Sequence, residues 1–352
     1  MIATITLVFN PTIQVVLPSR PNMETKEESW FPHLLSFILP IVAIGGVYQG
    51  GWWTASGIVW ALGVGPILDF ITPDRAPTRK ENLSVTPWNA LLIGHSIVAI
   101  LALVALMWRT TQDGLVLTTV IGAFSIGFVS GVSGIINAHE QGHRRKGSVT
   151  WWMGRLNLLW VLYLHFTTEH NHGHHRNFAT KSDPVFAPKG RGLWVQVFSC
   201  IHTQVISAWK THSDKGKRWI GNPIFHGLII QTLLLVAIAL LLSINHLYIF
   251  LIQAGFAMIL LEYVNYLQHY GLQREDGEKA TMMHSWESRN VWSRWTLLEL
   301  PLHPAHHLKA SDPMWELRAY EGSPQLPIGY YGCFWLAIIP PIWKSVMDRR
   351  LP

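Results

Sequence analysis

Apolar residues along this chain occur in six long runs, each close to the length that crosses a lipid bilayer. A bilayer-spanning helix needs about 20 mainly apolar residues. The runs are paired around short connections, with approximate bounds 34–48, 53–71, 88–107, 116–136, 224–243 and 247–264. This pattern predicts an all-α fold, a six-helix transmembrane bundle.

Two further segments do not fit a spanning helix. Residues 139–222 interleave Trp, His, Lys and Arg and contain only one weak apolar run, 156–166, so we expect a cytoplasmic or interfacial segment there. The apolar tail 329–343 contains Pro340 and Pro341, which interrupt helical hydrogen bonding. We interpret this tail as an interfacial or re-entrant element and not as a seventh span.

The basic loops predict the orientation of the bundle. Six cations lie on the same predicted side, namely Arg144, Arg145, Lys146, Lys215, Lys217 and Arg218. Lys and Arg concentrate on cytoplasmic loops. We therefore expect both termini and the His-rich segments in the cytoplasm. Residues 1–352 are expected to form one integral-membrane domain, with 1–30 as an N-terminal extension that its polar composition allows to be flexible.

Composition supports a membrane protein and excludes several other classes. Apolar residues make up 49% of the chain and charged residues 14%, and the mean hydropathy is +0.22. The net charge of +6 comes from loops beside the apolar runs, which indicates contact with anionic lipid and no nucleic-acid partner. With only Cys200 and Cys333 present, a disulfide framework or a Cys-based metal cluster is excluded. Any redox partner must be a separate protein.

Half of the 18 histidines fall into four motifs at the cytoplasmic ends of apolar runs. His139-Glu140-x-x-His143 places two imidazoles on one helical face. A zinc protease also uses HExxH, with the glutamate as general base, but it does not need the clusters that follow. His170 and His174 repeat the four-residue spacing, and His175 points to the neighbouring face. The other candidates are His269 after the sixth run and the group His303, His306 and His307.

Each motif alone has an ordinary structural explanation, because HExxH is often coincidental and a single histidine is often a satisfied polar residue. Nine imidazoles at helix ends are not explained in that way, since polar groups there are costly without a function. All-imidazole ligation suits iron, copper or zinc, and the spacing does not choose among them. Nine ligands exceed one coordination sphere, so two metal ions are the simplest count.

The remaining polar candidates support the ligands or the fold. Four carboxylates are candidates for orienting imidazole N–H groups, namely Glu140, Glu169, Glu262 and Asp183. The other nine histidines are interpreted as structural or as neighbours of the ligands: His33, His95, His165, His172, His202, His212, His226, His246 and His284.

At its histidine motifs the chain resembles the membrane-bound alkane monooxygenases and their xylene monooxygenase relatives, within the fatty acid desaturase superfamily. The matching segments are HExxHR at 139–144, EHNxGHHR at 169–176, NYxQHYGL at 265–272 and HxxHH at 303–307, in the family's order. The resemblance implies a cytoplasmic di-iron centre with two non-haem iron ions held by the nine histidines. It also implies O2, a hydrophobic small-molecule substrate, membrane lipid, a bacterial inner-membrane location and a separate electron donor, rubredoxin or ferredoxin with its reductase.

Two departures from the alkane pattern leave the substrate open. Gln268 stands where alkane enzymes typically carry Glu, and His303-Pro304-Ala305 stands where they commonly have His-Ser-Asp. The first hypothesis is hydroxylation of a terminal or methyl carbon of a hydrocarbon. The alternatives are a desaturase or oxidative decarboxylase that forms a terminal alkene from a medium-chain fatty acid, and a non-catalytic metal-binding membrane protein. A metal transporter of that last kind would place its ligands near the middle of the membrane.

Overall fold

The computed structural model of this protein describes residues 28–79 and 84–352, and no β-strand occurs within those ranges. Six helices are long and apolar enough to cross a membrane, which confirms the predicted number. The first four are α1 (Phe31–Gln49), α2 (Gly51–Ile71), α3 (Thr86–Asp113) and α4 (Leu117–Gly142). Helix α3 has Pro87 in its first turn and is followed by the capping residue Gly114, whose φ of 70° suits glycine.

The polar segment after α4 folds into three α-helices, α5 (Val149–Leu159), α6 (166–177) and α7 (Leu193–Ser213), followed by the 3-10 turn Trp219–Gly221. None of the three has the length and apolarity of a membrane span. The structure therefore agrees with the expectation of a non-spanning segment before residue 222. The fifth and sixth spans follow as α8 (Pro223–Leu241) and α9 (Ile244–His269).

After α9, the 3-10 turn Met282–His284 precedes four short α-helices that complete the chain. They are α10 (Val291–Thr296), α11 (His303–Leu308), α12 (Tyr330–Ala337) and α13 (Pro340–Met347). The tail 329–343 is thus split between two helices, with the break beside Pro340. Asp69 of α2 holds this tail, since its carboxylate accepts hydrogen bonds from Gly332 N at 2.9 Å and Ser293 Oγ at 2.7 Å.

Burial differs strongly among the spanning helices. The most apolar stretch of α4 is 78% buried and that of α8 only 22%. Phe70, Leu240 and Leu241 are each about 80% exposed, which is favourable where lipid is the solvent. Helix α4 is therefore the centre of the bundle, and α8 lies at its lipid-facing edge.

Close packing between α4 and α9 depends on a glycine. A Cβ atom at Gly127 would lie 2.7 Å from Phe256 Cδ1 and 3.2 Å from the Gln253 carbonyl oxygen. Nearby, Ser130 Oγ donates to Gln253 Oε1 at 2.7 Å. Small and polar residues at such contacts are typical of helix association in membranes. This contact fixes the helix ends that carry two of the four histidine motifs.

Most of the predicted N-terminal extension, residues 1–27, lies outside the described residues. Glu28 is described and is only 6% exposed. Its backbone N–H donates to the Thr78 carbonyl at 3.1 Å. The last residues before α1 are therefore anchored to the loop that follows α2.

Candidate metal centre

All nine histidines predicted as ligands lie in two adjacent groups at one end of the bundle. Within each group the ring nitrogens lie within 4.8 Å of one another. The first group is His139, His143, His170, His175 and His306, and the second is His174, His269, His303 and His307. The rings of His175 and His307, one from each group, are 4.9 Å apart between centroids.

Two spanning helices deliver three of these imidazoles from their ends. His139 lies in the last turn of α4, and His143 follows one turn later, so both reach the first group. His269 is the last residue of α9 and reaches the second group. A rigid transmembrane helix thereby fixes at least one imidazole in each group.

The structure separates His170 from His174, although the two residues are four apart in the sequence. Residues His170–His174 form a π-helical turn, and His170 instead joins His175 in the first group while His174 joins the second. In a π-turn the hydrogen bonds run from residue i to i+5, so residues five apart are stacked. Nε2 of His175 lies 2.9 Å from Nε2 of His170. The wider turn lets one short helix supply both groups.

Helix α11 also divides its imidazoles between the groups. Pro304 lies in its first turn, where the missing N–H costs no helical hydrogen bond. His303 and His307, four residues apart, share a face and have Nε2 atoms 2.8 Å apart. His306 lies on the other face and points to the first group, with its Nε2 atom 3.4 Å from that of His170.

The nitrogen geometry fits a bound cation better than a hydrogen-bond network. Nε2 of His303 faces both His307 and His269, at 2.8 and 3.1 Å, yet one imidazole nitrogen can pair with only one of them. Nε2 atoms of His139, His143 and His174 are buried and find no hydrogen-bond partner among the described residues. At a metal–nitrogen distance of about 2.1 Å, opposite ligands lie about 4.2 Å apart, close to the observed spread.

Burial favours the neutral form of six of the nine imidazoles. Burial lowers the pKa of His143 to about 4, with a further contribution from Arg144. Burial, followed by the neighbouring histidines, also holds the pKa values of five others well below 6.5: His170, His175, His303, His306 and His307. Neutral imidazoles keep the lone pairs that a metal ion needs.

Of the four carboxylates expected to orient imidazoles, Asp183 directly contacts one of the nine candidate side chains, that of His174. Its Oδ2 atom lies 3.0 Å from Nδ1 of His174, and both side chains are buried. Glu140 pairs with Arg144 at 2.6 Å, and Glu262 accepts from Tyr163 at 2.9 Å. Glu169 is buried beside the site, where burial and the charges of Asp183 and Glu262 raise its pKa well above 4.5.

The other nine histidines lie outside both groups. Several are structural: His33 bonds Glu299 at 2.8 Å, and His95 lies within hydrogen-bond distance of serine hydroxyls in the core. Nδ1 of His246 lies 2.7 Å from Oγ of Ser243, which is the N-cap residue of α9. His172 is exposed although it stands between two ligands.

An apolar cavity runs from the histidines into the bundle. His139, His170 and His303 close one end, and most of the wall is aliphatic or aromatic. No sequence motif marks the wall, because its residues come from distant segments of the chain. Its other members include Leu62, Phe128, Val132, Leu260, Leu297, Leu300, Gln268, Tyr330 and Phe334. The Gln268 amide donates to Tyr330 Oη at 3.0 Å, so this polar contact is satisfied within the wall.

A second depression, which we call the basic basin, opens at the surface beside the second group. It is lined by five cations and two carboxylates: Arg176, Lys181, Arg191, Lys210, Lys215, Asp183 and Asp214. Asp183 connects its floor to His174 through the hydrogen bond described above. The basin therefore combines positive charge with a single-residue link to the imidazoles.

The chain is similar in sequence to one known protein family and to several monooxygenases. The sequence profile of the family described as fatty acid desaturase matches residues 114–336. Alkane 1-monooxygenase 1 of Pseudomonas aeruginosa is 32% identical over 85% of this chain and 83% of the relative. Alkane 1-monooxygenase of Ectopseudomonas oleovorans is 32% identical over 96% and 88%. The xylene/toluene monooxygenase hydroxylase component XylM of Pseudomonas putida is 27% identical over 89% and 87%.

Proposed function

We propose that this chain, which belongs to the fatty acid desaturase family and within it to the membrane-bound alkane and xylene monooxygenases, hydroxylates a terminal or methyl carbon of a hydrocarbon with O2. The chain is a multi-pass integral membrane protein of that family. One observation carries the proposal: the two imidazole groups close the end of an apolar cavity.

In this proposal the nine histidines would hold two non-haem iron ions, and these ions would activate O2. The net reaction converts the hydrocarbon, O2, two electrons and two protons into the alcohol and one molecule of water. One oxygen atom is inserted into the C–H bond and the other leaves in the water. The chain's own task is positioning, since the apolar wall excludes water and holds the target carbon beside His139, His170 and His303. His174 is oriented by Asp183, which leaves its Nε2 lone pair directed into the second group.

The cavity favours a hydrocarbon over a fatty acid. A substrate carboxylate entering this wall would need a cationic partner, because burying an unpaired charge is costly. None of the described residues that line the cavity is Lys or Arg. The tyrosine and amide groups of the wall are few, and Gln268 already bonds Tyr330.

The basic basin supports a separate electron carrier with an acidic surface, of the rubredoxin or ferredoxin type. Its excess of positive charge would attract such a carrier and orient it over Asp183. From there, electrons would reach the second group through His174. We place the basin and both termini on the cytoplasmic side of a bacterial inner membrane, because of the basic loops beside the spans.

The non-catalytic alternative is weakened by the position of the imidazoles. His139 and His143 lie at the end of α4 and His269 at the end of α9, and not at the middle of a span. Transport sites are typically built near mid-membrane on broken helices.

Product analysis tests the proposed reaction. Iron-loaded membranes with a reductant and an electron carrier are given octane, xylene or dodecanoic acid, and the products are separated by gas chromatography. We expect an alcohol from octane or xylene whose oxygen derives from labelled O2, and no product from a His303→Ala variant. A terminal alkene from dodecanoic acid as the main product would establish the fatty-acid alternative. Iron binding without O2 consumption on any substrate would establish the non-catalytic one.

A further inference from the structure

A buried cluster of charged side chains lies directly before the histidines of α11. Glu299 is fully buried, and its two oxygens receive Arg294 Nε at 2.8 Å and Arg294 Nη2 at 2.9 Å. Nε2 of His33 lies 2.8 Å from the same carboxylate, and Arg79 Nη2 lies 3.3 Å away. Burial alone would raise the pKa of Glu299, but Arg294 and Arg79 hold it well below 4.5.

This cluster stabilises a turn of unfavourable backbone conformation. Leu298 and Glu299 have φ values of 53° and 59°, a region that residues with a Cβ rarely adopt. Such conformations persist only where surrounding contacts fix them. Here the Glu299 N–H donates to the Arg294 carbonyl at 2.8 Å, and the Leu302 N–H donates to the Glu299 carbonyl at 2.9 Å. The direction in which α11 leaves the turn therefore depends on the side-chain contacts of Glu299.

Glu28 completes the cluster from the other end of the chain. One of its oxygens accepts from Arg294 Nη2, and the other accepts from Trp295 Nε1 at 3.0 Å. Arg79 Nη1 lies 3.5 Å from the carboxylate. The buried carboxylates of Glu28 and Glu299 thus balance the buried guanidinium groups of Arg294 and Arg79. Without the charge of Glu28, one buried guanidinium group would lack its counter-charge. Removing one partner of a buried ion pair in this way is strongly destabilising.

We propose that Glu28 is a positioning residue for the metal centre, acting through Arg294 and Glu299 on the turn that aims His303, His306 and His307. The inference rests on the proposed function in that these histidines are taken as iron ligands. The effect of Glu28 on the two histidine groups is unequal, because α11 supplies two of the four imidazoles of the second group and one of the five of the first.

Iron release to a chelator tests the inference without any substrate. The full-length protein in detergent is loaded with Fe²⁺, mixed with excess chelator at 25 °C, and followed by absorbance. In Glu28→Gln we expect one iron per chain to leave about 10-fold faster than in the wild type, a size typical of altered ligand orientation. The second iron should leave within about 2-fold of the wild-type rate. Glu321→Gln, the same change at an exposed residue, is the matched control and should release both at the wild-type rates.

The unequal release separates positioning from a general loss of stability. If Glu28→Gln accelerates the release of both irons equally, or of neither, the inference is wrong. A wild-type protein that takes up no iron would instead refute the proposed metal centre. If Glu28→Gln does not fold, as judged by helical circular dichroism, Trp295→Phe removes one hydrogen bond to Glu28 and should give the same unequal release in weaker form. Equal or unchanged release in that variant would overturn the inference.

Discussion

Nδ1 of His174 and Oδ2 of Asp183 lie 3.0 Å apart in a buried pair. The pair assigns the proton of the imidazole to Nδ1 and leaves Nε2 as a lone-pair donor towards the second group. Asp183 also lines the basic basin. One carboxylate therefore joins the proposed carrier surface to the proposed metal centre.

Asp183→Asn should weaken the second group. The amide still accepts a hydrogen bond from His174 but loses the negative charge that lies beside the imidazole N–H. We expect an iron affinity about 10- to 100-fold lower at one of the two sites. The measurement is iron stoichiometry against chelator concentration. Asp214→Asn, which makes the same change at an exposed position of the basin, should leave both affinities unaltered.

Removing a single ligand should abolish turnover while the protein still inserts into the membrane. His139→Ala and His306→Ala each take one imidazole from the first group, and α4 and α11 are also held by contacts outside that group. We expect activity below about 1% of wild type, with normal amounts in the membrane fraction. His226→Ala is the control, since this histidine is exposed and lies outside both groups and outside the basic basin. Retained activity in either ligand variant would contradict the assignment.

Filling the cavity should restrict the length of the substrate. Val132 lines the wall seven residues before His139, which is about 10 Å along the helix. Val132→Phe should therefore lower turnover of hexadecane at least about 10-fold, by steric exclusion, while hexane retains most of its rate. Competition assays with both alkanes measure the ratio of hexadecane turnover to hexane turnover. Val149→Phe, at an exposed position of α5, should not change it.

Reversing charge in the basic basin should impair reduction and leave the metal centre intact. For a variant with Lys210→Glu and Lys215→Glu, we expect the KM for an acidic electron carrier to rise about 10-fold at low ionic strength. The difference in KM between the variant and the wild type should shrink near 1 M salt, where the Debye length is about 3 Å. Titration of the carrier at low and at high salt concentration gives the KM under each condition. An equal rise in Lys279→Glu, an exposed cation outside the basin, would count against the docking surface.

Local sequence patterns determined the number of spanning helices and the candidate ligands. Hydropathy over about 20 residues depends only on neighbours in the chain, so all six spans could be predicted. The four-residue spacing of His139 and His143, and of His303 and His307, is also a local property of the chain and could be predicted in the same way. Each of these pairs lies in one group, as helical periodicity requires.

Tertiary structure decided how the ligands are divided and what surrounds them. The π-turn at His170–His174 moves His175 beside His170, and no motif spacing distinguishes that turn from an α-helix. The cavity wall combines residues as distant as Leu62 and Phe334. Glu28 meets Arg294 across 266 positions of sequence. Contacts of this kind depend on the packing of the whole bundle, because neither partner has a local pattern that specifies the other.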